Sequence, residues 1–393
     1  WHNAGVKEAP FLRGDTRRIT MSDQKDLKQM YRTRTEGDFP QVITVMGREY
    51  EKVEDLRYGT NPHQPAAYYR PKGASYLALG GMEILKTGKG GLSQTNLEDM
   101  QHAFGILKYL GQPAAAVMKH CNPSGVAVAR AGQQLVDVYL RARDADAQAA
   151  FGGVVCFNRE VDEATADAIM GTVIEGVAAP GFSDAALARF HDVETYKRNR
   201  DIRIIRVPNI DRLPRFIGDP INGWEMKVLD DGSLVLAQPY LSRIRSTADL
   251  VPAWNEHPKK GRIDIARQPT SRELEDLLFA WYVNIHVRSN GVVIVRNGQT
   301  LAVGTGEQDR VGAVHQAIEK ARAKYKGEES LEGAVMASDG FFPFRDAVDA
   351  ATAAGITAIA QPGGSVNDYE AIEACNEAGC AMVFTMERCF SHH

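Results

Sequence analysis

Leu97, Met100, Phe104, Leu107 and Leu110 recur at helical spacing and predict a helix. Thr95-Asn96-Leu97-Glu98 fits a capping box at its start, and Gly111 closes it. An apolar run over 114–118 follows and reads as a short buried strand that stops at Lys119-His120 and a Pro/Gly turn. A second such strand is predicted over 154–157, preceded by Phe151-Gly152-Gly153. The C-terminal part repeats this grammar. Strands are predicted over 291–295 and 301–304 around Arg296-Asn297-Gly298, where Asn-Gly is a hairpin signal. Then come a strand over 334–337, a helix over 346–354, a strand over 356–360, a helix over 368–378 and a last strand over 381–385. Alternating strands and helices predict a layered α/β architecture.

Between the two α/β blocks the pattern weakens. Arg198, Arg200, Arg203, Arg206, Arg212 and Arg215 mix with prolines and polar residues, and we read a solvated connection. A nucleic-acid surface is not supported, because no regular basic helix or aromatic stacking pattern is present. The expected organisation is an N-terminal extension over 1–50, a first α/β domain over 51–190, a connecting segment over 191–270 and a second α/β domain over 271–393. No internal repeat stands out in the sequence.

Composition narrows this little. A chain of 393 residues exceeds one ordinary core and suggests at least two domains. The net charge of −4 argues against a general polyanion binder. No run approaches a membrane-spanning length, so no membrane partner is expected. Arg17-Arg18 is not followed by the apolar region of a twin-arginine signal, and the residues before Met21 are given no role. Five scattered cysteines, Cys121, Cys156, Cys375, Cys380 and Cys389, are the usage of a reduced, cytoplasmic compartment.

Two stretches carry chemistry that packing does not explain. Arg57-Tyr58-Gly59-Thr60-Asn61-Pro62-His63-Gln64 gathers a cation, a phenol, an imidazole and two amides around a turn. Lys119-His120 ends an apolar strand and opens into Cys121-Asn122-Pro123-Ser124-Gly125. Strand ends opening into such turns are where α/β proteins bind ligands. An imidazole is suited to removing a proton near neutral pH, and an ammonium beside it stabilises developing negative charge. Neighbours on a strand point to opposite faces, so both groups reach one site only if the strand breaks there; Cys121-Asn122-Pro123 is the predicted break.

Both stretches resemble segments of the folate-dependent aminoimidazole carboxamide ribonucleotide (AICAR) formyltransferases, usually the C-terminal part of a bifunctional purine-synthesis protein. Ser338-Asp339-Gly340-Phe341-Phe342-Pro343-Phe344-Arg345-Asp346, Gln361-Pro362-Gly363-Gly364-Ser365 and a tail with Arg388 and Phe390 extend the similarity, in order, from about Arg57 to the C-terminus. The resemblance implies two related cytidine-deaminase-like domains. It implies transfer of a formyl group from 10-formyltetrahydrofolate to the 5-amino group of AICAR, with His120 as base and Lys119 as transition-state stabiliser. By the same resemblance Arg57, Tyr58, Gly152, Glu175, Asn290, Arg310, Phe341 and Arg388 contact the nucleotide, and Val311, Asp346, Gly364 and Ser365 the folate. A homodimer with shared active sites and a monovalent cation with unassigned ligands also follow from it. Ile285-His286 stands where relatives carry a Lys-aromatic pair before Arg288-Ser289-Asn290, a departure that touches the local cation and phosphate contacts.

A zinc deaminase is the natural rival and needs Pro-Cys-x-x-Cys. No Cys-x-x-Cys occurs in the chain, so no zinc site is expected. A nucleotide-binding regulator that kept the pocket is the non-enzymatic alternative; the presence of both Lys119 and His120 argues against it. The cyclohydrolase domain of bifunctional relatives has the size of an ordinary domain, about 200 residues. Only 56 residues precede Arg57, so ring closure is expected to fall to another protein.

Overall fold

The computed structural model describes residues 33–73, 77–221, 223–325 and 331–392. Arg17-Arg18 and Met21 lie outside the described residues. A three-stranded antiparallel sheet comes first: β1 (Val42–Val45), β2 (Arg48–Asp55) and β3 (Ala67–Pro71). The chain continues through β4 (Glu83–Lys86), α1 (Gln94–Leu107), β5 (Ala114–Lys119), β6 (Asn122–Val128), α2 (Leu135–Asp144) and the single turn α3 (Ala147–Ala150). Then follow β7 (Gly153–Phe157), α4 (Glu163–Met170), β8 (Ile174–Ala179), α5 (Asp184–His191) and β9 (Arg203–Arg206). Strands β4 to β9 form one mixed sheet in the order β4-β9-β8-β7-β5-β6, with β7, β8 and β9 parallel.

Two antiparallel hairpins flank the crossing to the second half: β10 (Glu225–Val228) with β11 (Leu234–Ala237), and, after β12 (Val251–Pro252), β13 (Trp254–His257) with β14 (Gly261–Asp264). The remaining elements are α6 (Ser271–Asn284), β15 (Val292–Val295), β16 (Thr300–Gly304), α7 (Arg310–Tyr325), β17 (Ala334–Ser338), α8 (Asp346–Ala353), β18 (Ile356–Gln361), α9 (Asp368–Ala378) and β19 (Ala381–Phe384). The second sheet runs β12-β19-β18-β17-β15-β16, with β17, β18 and β19 parallel.

The two sheets share strand order and direction at every position. The fold therefore repeats where the sequence shows no repeat, because the likeness lies in backbone pairing and not in the residues that fill it. The stretch read as a solvated connection contributes β9, an internal strand of the first sheet, with Arg203 only 3% exposed.

Helices α1 and α6 hold equivalent positions before the first sheet hairpin of each half and share one core. Met100, Phe104 and Leu107 join Leu277, Trp281 and Val283 there, and the rings of Tyr109 and Tyr282 stack with centroids 4.6 Å apart. The outer faces of the two sheets build separate cores against the remaining helices. The sheets meet edge to edge at β6 and β16. Val126 N donates to Thr300 Oγ1 at 2.9 Å, Val128 N donates to the Gly298 carbonyl at 2.9 Å, and Ala127 bridges Gln299. Among the described residues no helix is long and apolar enough to cross a membrane.

The start of α1 differs from the expected cap. Ser93 is the N-cap: its hydroxyl accepts from Asn96 N at 3.2 Å, and the Asn96 side chain accepts from Ser93 N at 3.1 Å. Thr95, expected to begin the box, lies inside the first turn, because Asn completes a box as Glu does.

Candidate active site

Strand β5 ends at Lys119, which pairs with Asn122 across a two-residue turn. The turn is His120-Cys121, with φ of 53° and 63°. Positive φ at both positions matches the twist of the strands and normally calls for Asn or Gly. Asn297-Gly298 turns β15 into β16 in the second half with φ of 57° and 65°. In the first half neither residue suits this backbone, at a cost of about 1–2 kcal/mol each. The break expected at Cys121-Asn122-Pro123 thus falls one residue earlier, and Asn122 and Pro123 already belong to β6.

The turn borders a cavity of about 490 Å³. Six of the residues singled out in the sequence line it: Arg57, Tyr58, Lys119, His120, Gly152 and Glu175. They come from four places in the chain. The Arg57–Gln64 segment folds on itself: Gly59 N donates to the Gln64 carbonyl at 2.7 Å, and the Gln64 side chain accepts from Asn61 N at 2.8 Å. Tyr58 is fixed by Gln94 N, which donates to its carbonyl at 3.0 Å, and the Arg57 guanidinium lies 4.6 Å from the Tyr58 ring centre. Lys119 Nζ donates to the Gly152 carbonyl at 2.6 Å. Gly152 has φ of 66°, and a Cβ there would come within 3.3 Å of Lys119 Nζ, so glycine serves both backbone and approach. Glu175, on β8, accepts from Asn96 Nδ2 at 3.2 Å.

Asn96, Asp99, Arg203 and Arg288 complete the surroundings and were not singled out as site residues. Asp99 accepts from Cys121 N at 2.7 Å. Burial pushes its carboxyl up to about 6, opposed by that N–H and by Lys119. Arg203 donates to the carbonyls of Gly91, Lys89 and Glu175, and burial together with Arg57 lowers it to about 10. Arg288 comes from the second half and reaches the cavity; its N–H donates to Asn122 Oδ1 at 3.0 Å. The sequence signal for two of these is the polar row Asn96, Asp99, His102, one helical turn apart on the buried face of α1. Burial, with Asp99 and Glu98 nearby, pushes the Cys121 thiol up to about 12, so it stays protonated and is a poor nucleophile.

Asn290, Arg310, Phe341 and Arg388, which the resemblance led us to expect at the nucleotide, form a second group on the second sheet. The buried Arg310 pairs with the fully buried Asp339, which also accepts from Ser289 Oγ at 2.5 Å and Gly291 N at 2.8 Å. Asn290 Nδ2 donates to the Glu307 carbonyl at 2.9 Å. The tail closes over this group: Cys389 N donates to the Asp339 carbonyl at 3.1 Å, and the Arg388 guanidinium lies 4.7 Å from the Phe390 ring centre. Phe341 is 44% exposed beside it, while Phe342 is core. Neither Asn290, Arg310, Phe341 nor Arg388 lines the 490 Å³ cavity.

Val311 packs on the core of the second half, Asp346 is exposed at the start of α8, and Gly364 and Ser365 donate their N–H groups to Asp368 Oδ2 at 2.7 and 2.9 Å. Ile285 is buried in the shared core, and His286 faces α1, with Nδ1 3.2 Å from His102 Nδ1 and its ring in the space left by Gly105. Ile285 and His286 therefore serve helix packing here. Among the described residues no group of three or more His, Cys, Asp or Glu side chains is placed to hold a metal ion.

Residues 19–320 match the family described as the AICARFT/IMPCHase bienzyme. The chain is 41% identical over 358 residues to the bifunctional purine biosynthesis protein PurH of Acetivibrio thermocellus, which covers 91% of this chain and 62% of that protein. It is 39% identical over 381 residues to the bifunctional purine biosynthesis protein PurH of Oceanobacillus iheyensis, covering 95% and 66%. The chain thus spans less than two thirds of the length of either relative. With a family match over most of its length and these identities, the chain belongs to the AICARFT/IMPCHase bienzyme family.

Proposed function

We propose that this chain acts in purine biosynthesis by transferring the formyl group of 10-formyltetrahydrofolate to the 5-amino group of AICAR, giving formyl-AICAR and tetrahydrofolate. The observation that carries the reading is the convergence of Arg57, Tyr58, Lys119, His120, Gly152 and Glu175 on one cavity around a strained turn. The amine of AICAR is a weak nucleophile, since its lone pair is drawn into the ring. As it attacks the formyl carbon, His120 takes the amine proton. The Lys119 ammonium stabilises the oxyanion of the tetrahedral intermediate. The C–N10 bond then breaks, and the proton held by His120 returns to the departing N10. Arg57 offers a planar fork to the nucleotide's phosphate or carboxamide oxygens, and Glu175 an acceptor for its sugar hydroxyls. Val311, Asp346, Gly364 and Ser365 are the folate side of the reading.

A homodimer with shared sites is part of the proposal. Two features support it. The nucleotide residues fall into two groups within one chain, so that a partner's second group can complete the first. The hairpin of β10 and β11 also leaves all eight strand residues exposed, Val228 and Leu234 among them. An isolated two-stranded hairpin with apolar side chains is marginal in water and gains from a cover.

Purified chain is incubated with AICAR and 10-formyltetrahydrofolate, following tetrahydrofolate release and separating the nucleotides. Formyl-AICAR accumulates. His120→Ala keeps AICAR binding and lowers turnover by about 10²-fold or more. Wild-type turnover in that variant removes His120 from the mechanism, and bound AICAR with no transfer overturns the reading.

A further inference from the structure

A smaller cavity of about 250 Å³ opens at the seam between the halves and takes Lys119, His120 and Asn122 into its lining as well. The tip of the β5–β6 hairpin is thus a wall common to both cavities. Across from it stand Lys320 and Lys324, one turn apart on α7, with Thr305 after β16 and Asp146 before α3. Three ammonium groups and an imidazole therefore face one carboxylate.

That carboxylate is already used. Asp146 pairs with Lys324 at 3.0 Å, both side chains less than a fifth exposed. Among the described residues neither Lys119 nor Lys320 forms an ion pair. Lys320 Nζ donates to the Val303 carbonyl at 2.9 Å and to Gln316 Oε1 at 3.2 Å, and Lys119 Nζ to the Gly152 carbonyl. An ammonium has three donors, so each retains capacity for a ligand. Burial, and then the neighbouring Lys324, pulls Lys320 below its ordinary range, opposed by Asp146 and by Glu307 behind the cavity wall. Like charges held together away from water are costly unless an opposite charge joins them. In the lining itself three lysines share one carboxylate, which leaves a place for an anion inside the cavity.

We propose that the seam cavity is a second anion site, for a compact oxyanion of the phosphate or carboxylate class, separate from the nucleotide cavity and sharing the Lys119–His120 turn with it. The site stands on this lining and not on the formyl-transfer reading. Free phosphate and a glutamate-type carboxylate are two sources of such an anion, and the cavity's lysines suit either.

Isothermal titration of the full chain with inorganic phosphate, and separately with γ-glutamylglutamate, tests it. Lys320 lines the seam cavity and not the nucleotide cavity, so Lys320→Gln weakens seam binding by about tenfold or more while sparing anions bound elsewhere. Lys320→Arg keeps the charge and keeps binding. Unfolding midpoints measured without anion confirm that the variants fold. Phosphate held through Lys320 identifies a free-anion site; the dipeptide held through Lys320, with phosphate not, identifies a carboxylate site. Equal binding to wild type and Lys320→Gln, or binding of neither anion, overturns the proposal, and neither outcome bears on formyl transfer.

Discussion

The carboxylate of Asp99 accepts the backbone N–H of Cys121 at 2.7 Å, and through this bond helix α1 fastens the turn that carries His120. The partner is a backbone group, so the fastening is indifferent to which side chain occupies position 121. Asp99 is only 3% exposed, which makes its charge expensive and its protonation informative.

Asp99 titrates at about 6 in the folded chain, above its ordinary value of 3.8, mainly because of burial. A raised acid binds its proton more tightly folded than unfolded. Its contribution to stability is therefore fullest below about pH 4 and is lost as pH rises through about 6. Asp99→Asn keeps an oxygen for Cys121 N and removes the charge. Relative to wild type, the variant is expected to gain roughly 2 kcal/mol more at pH 7 than at pH 4. Urea unfolding at the two pH values measures the difference; the same offset at both would show that Asp99 has ordinary acidity.

Cys121→Gly relieves one of the two left-handed positions without touching the Asp99 bond. We expect a gain of about 1 kcal/mol in unfolding free energy, because glycine adopts φ of 63° freely. Loss of stability would mean that the Cys121 side chain, not Asp99, holds the turn.

Val228 and Leu234 pair across the β10–β11 hairpin and are 61% and 56% exposed. Replacing both by Asp should leave the unfolding of a single chain unchanged and abolish self-association. Sedimentation velocity distinguishes the cases: a wild type that sediments as a monomer at micromolar concentration removes this hairpin as a dimer arm.

Glu273 begins α6 and gathers bonds from Arg267 Nη2, Thr357 Oγ1, Thr270 N and Thr270 Oγ1. Burial raises its carboxyl, but these donors outweigh burial and bring it down to about 2. A lowered acid stabilises above its unfolded value of 4.5, and that stability is lost as pH falls toward about 2. Glu273→Ala is expected to cost roughly 2–3 kcal/mol at pH 7. A variant as stable as wild type at neutral pH would show that the four donors are satisfied by water instead.

Apolar runs made the interior strands of both sheets readable, since residues buried on both faces leave an unbroken hydrophobic signature; β5, β7, β17 and β18 lie within a residue or two of their expected places. Edge strands such as β4 and β12 carry no such run, and only pairing defines them. The Asn297-Gly298 turn announced itself by its residues, whereas His120-Cys121 adopts the same backbone with residues that signal nothing of the kind. Motif order along the chain also could not say that Arg57 and Lys119 face one cavity while Arg310 and Arg388 gather elsewhere. That division depends on which half of the fold each residue belongs to.

The two turns have unequal fates. Gly298 lies against β6, where a Cβ would come within 2.7 Å of Val128 Cγ2, so the second turn helps join the halves, while Asn297 and Gly298 also border a cavity of about 530 Å³. Its counterpart at His120-Cys121 also borders a cavity, the one lined by Arg57, Tyr58 and Glu175. One backbone turn, built twice, thus carries different chemistry in each half: an imidazole and a thiol in the first, an amide and a bare glycine in the second.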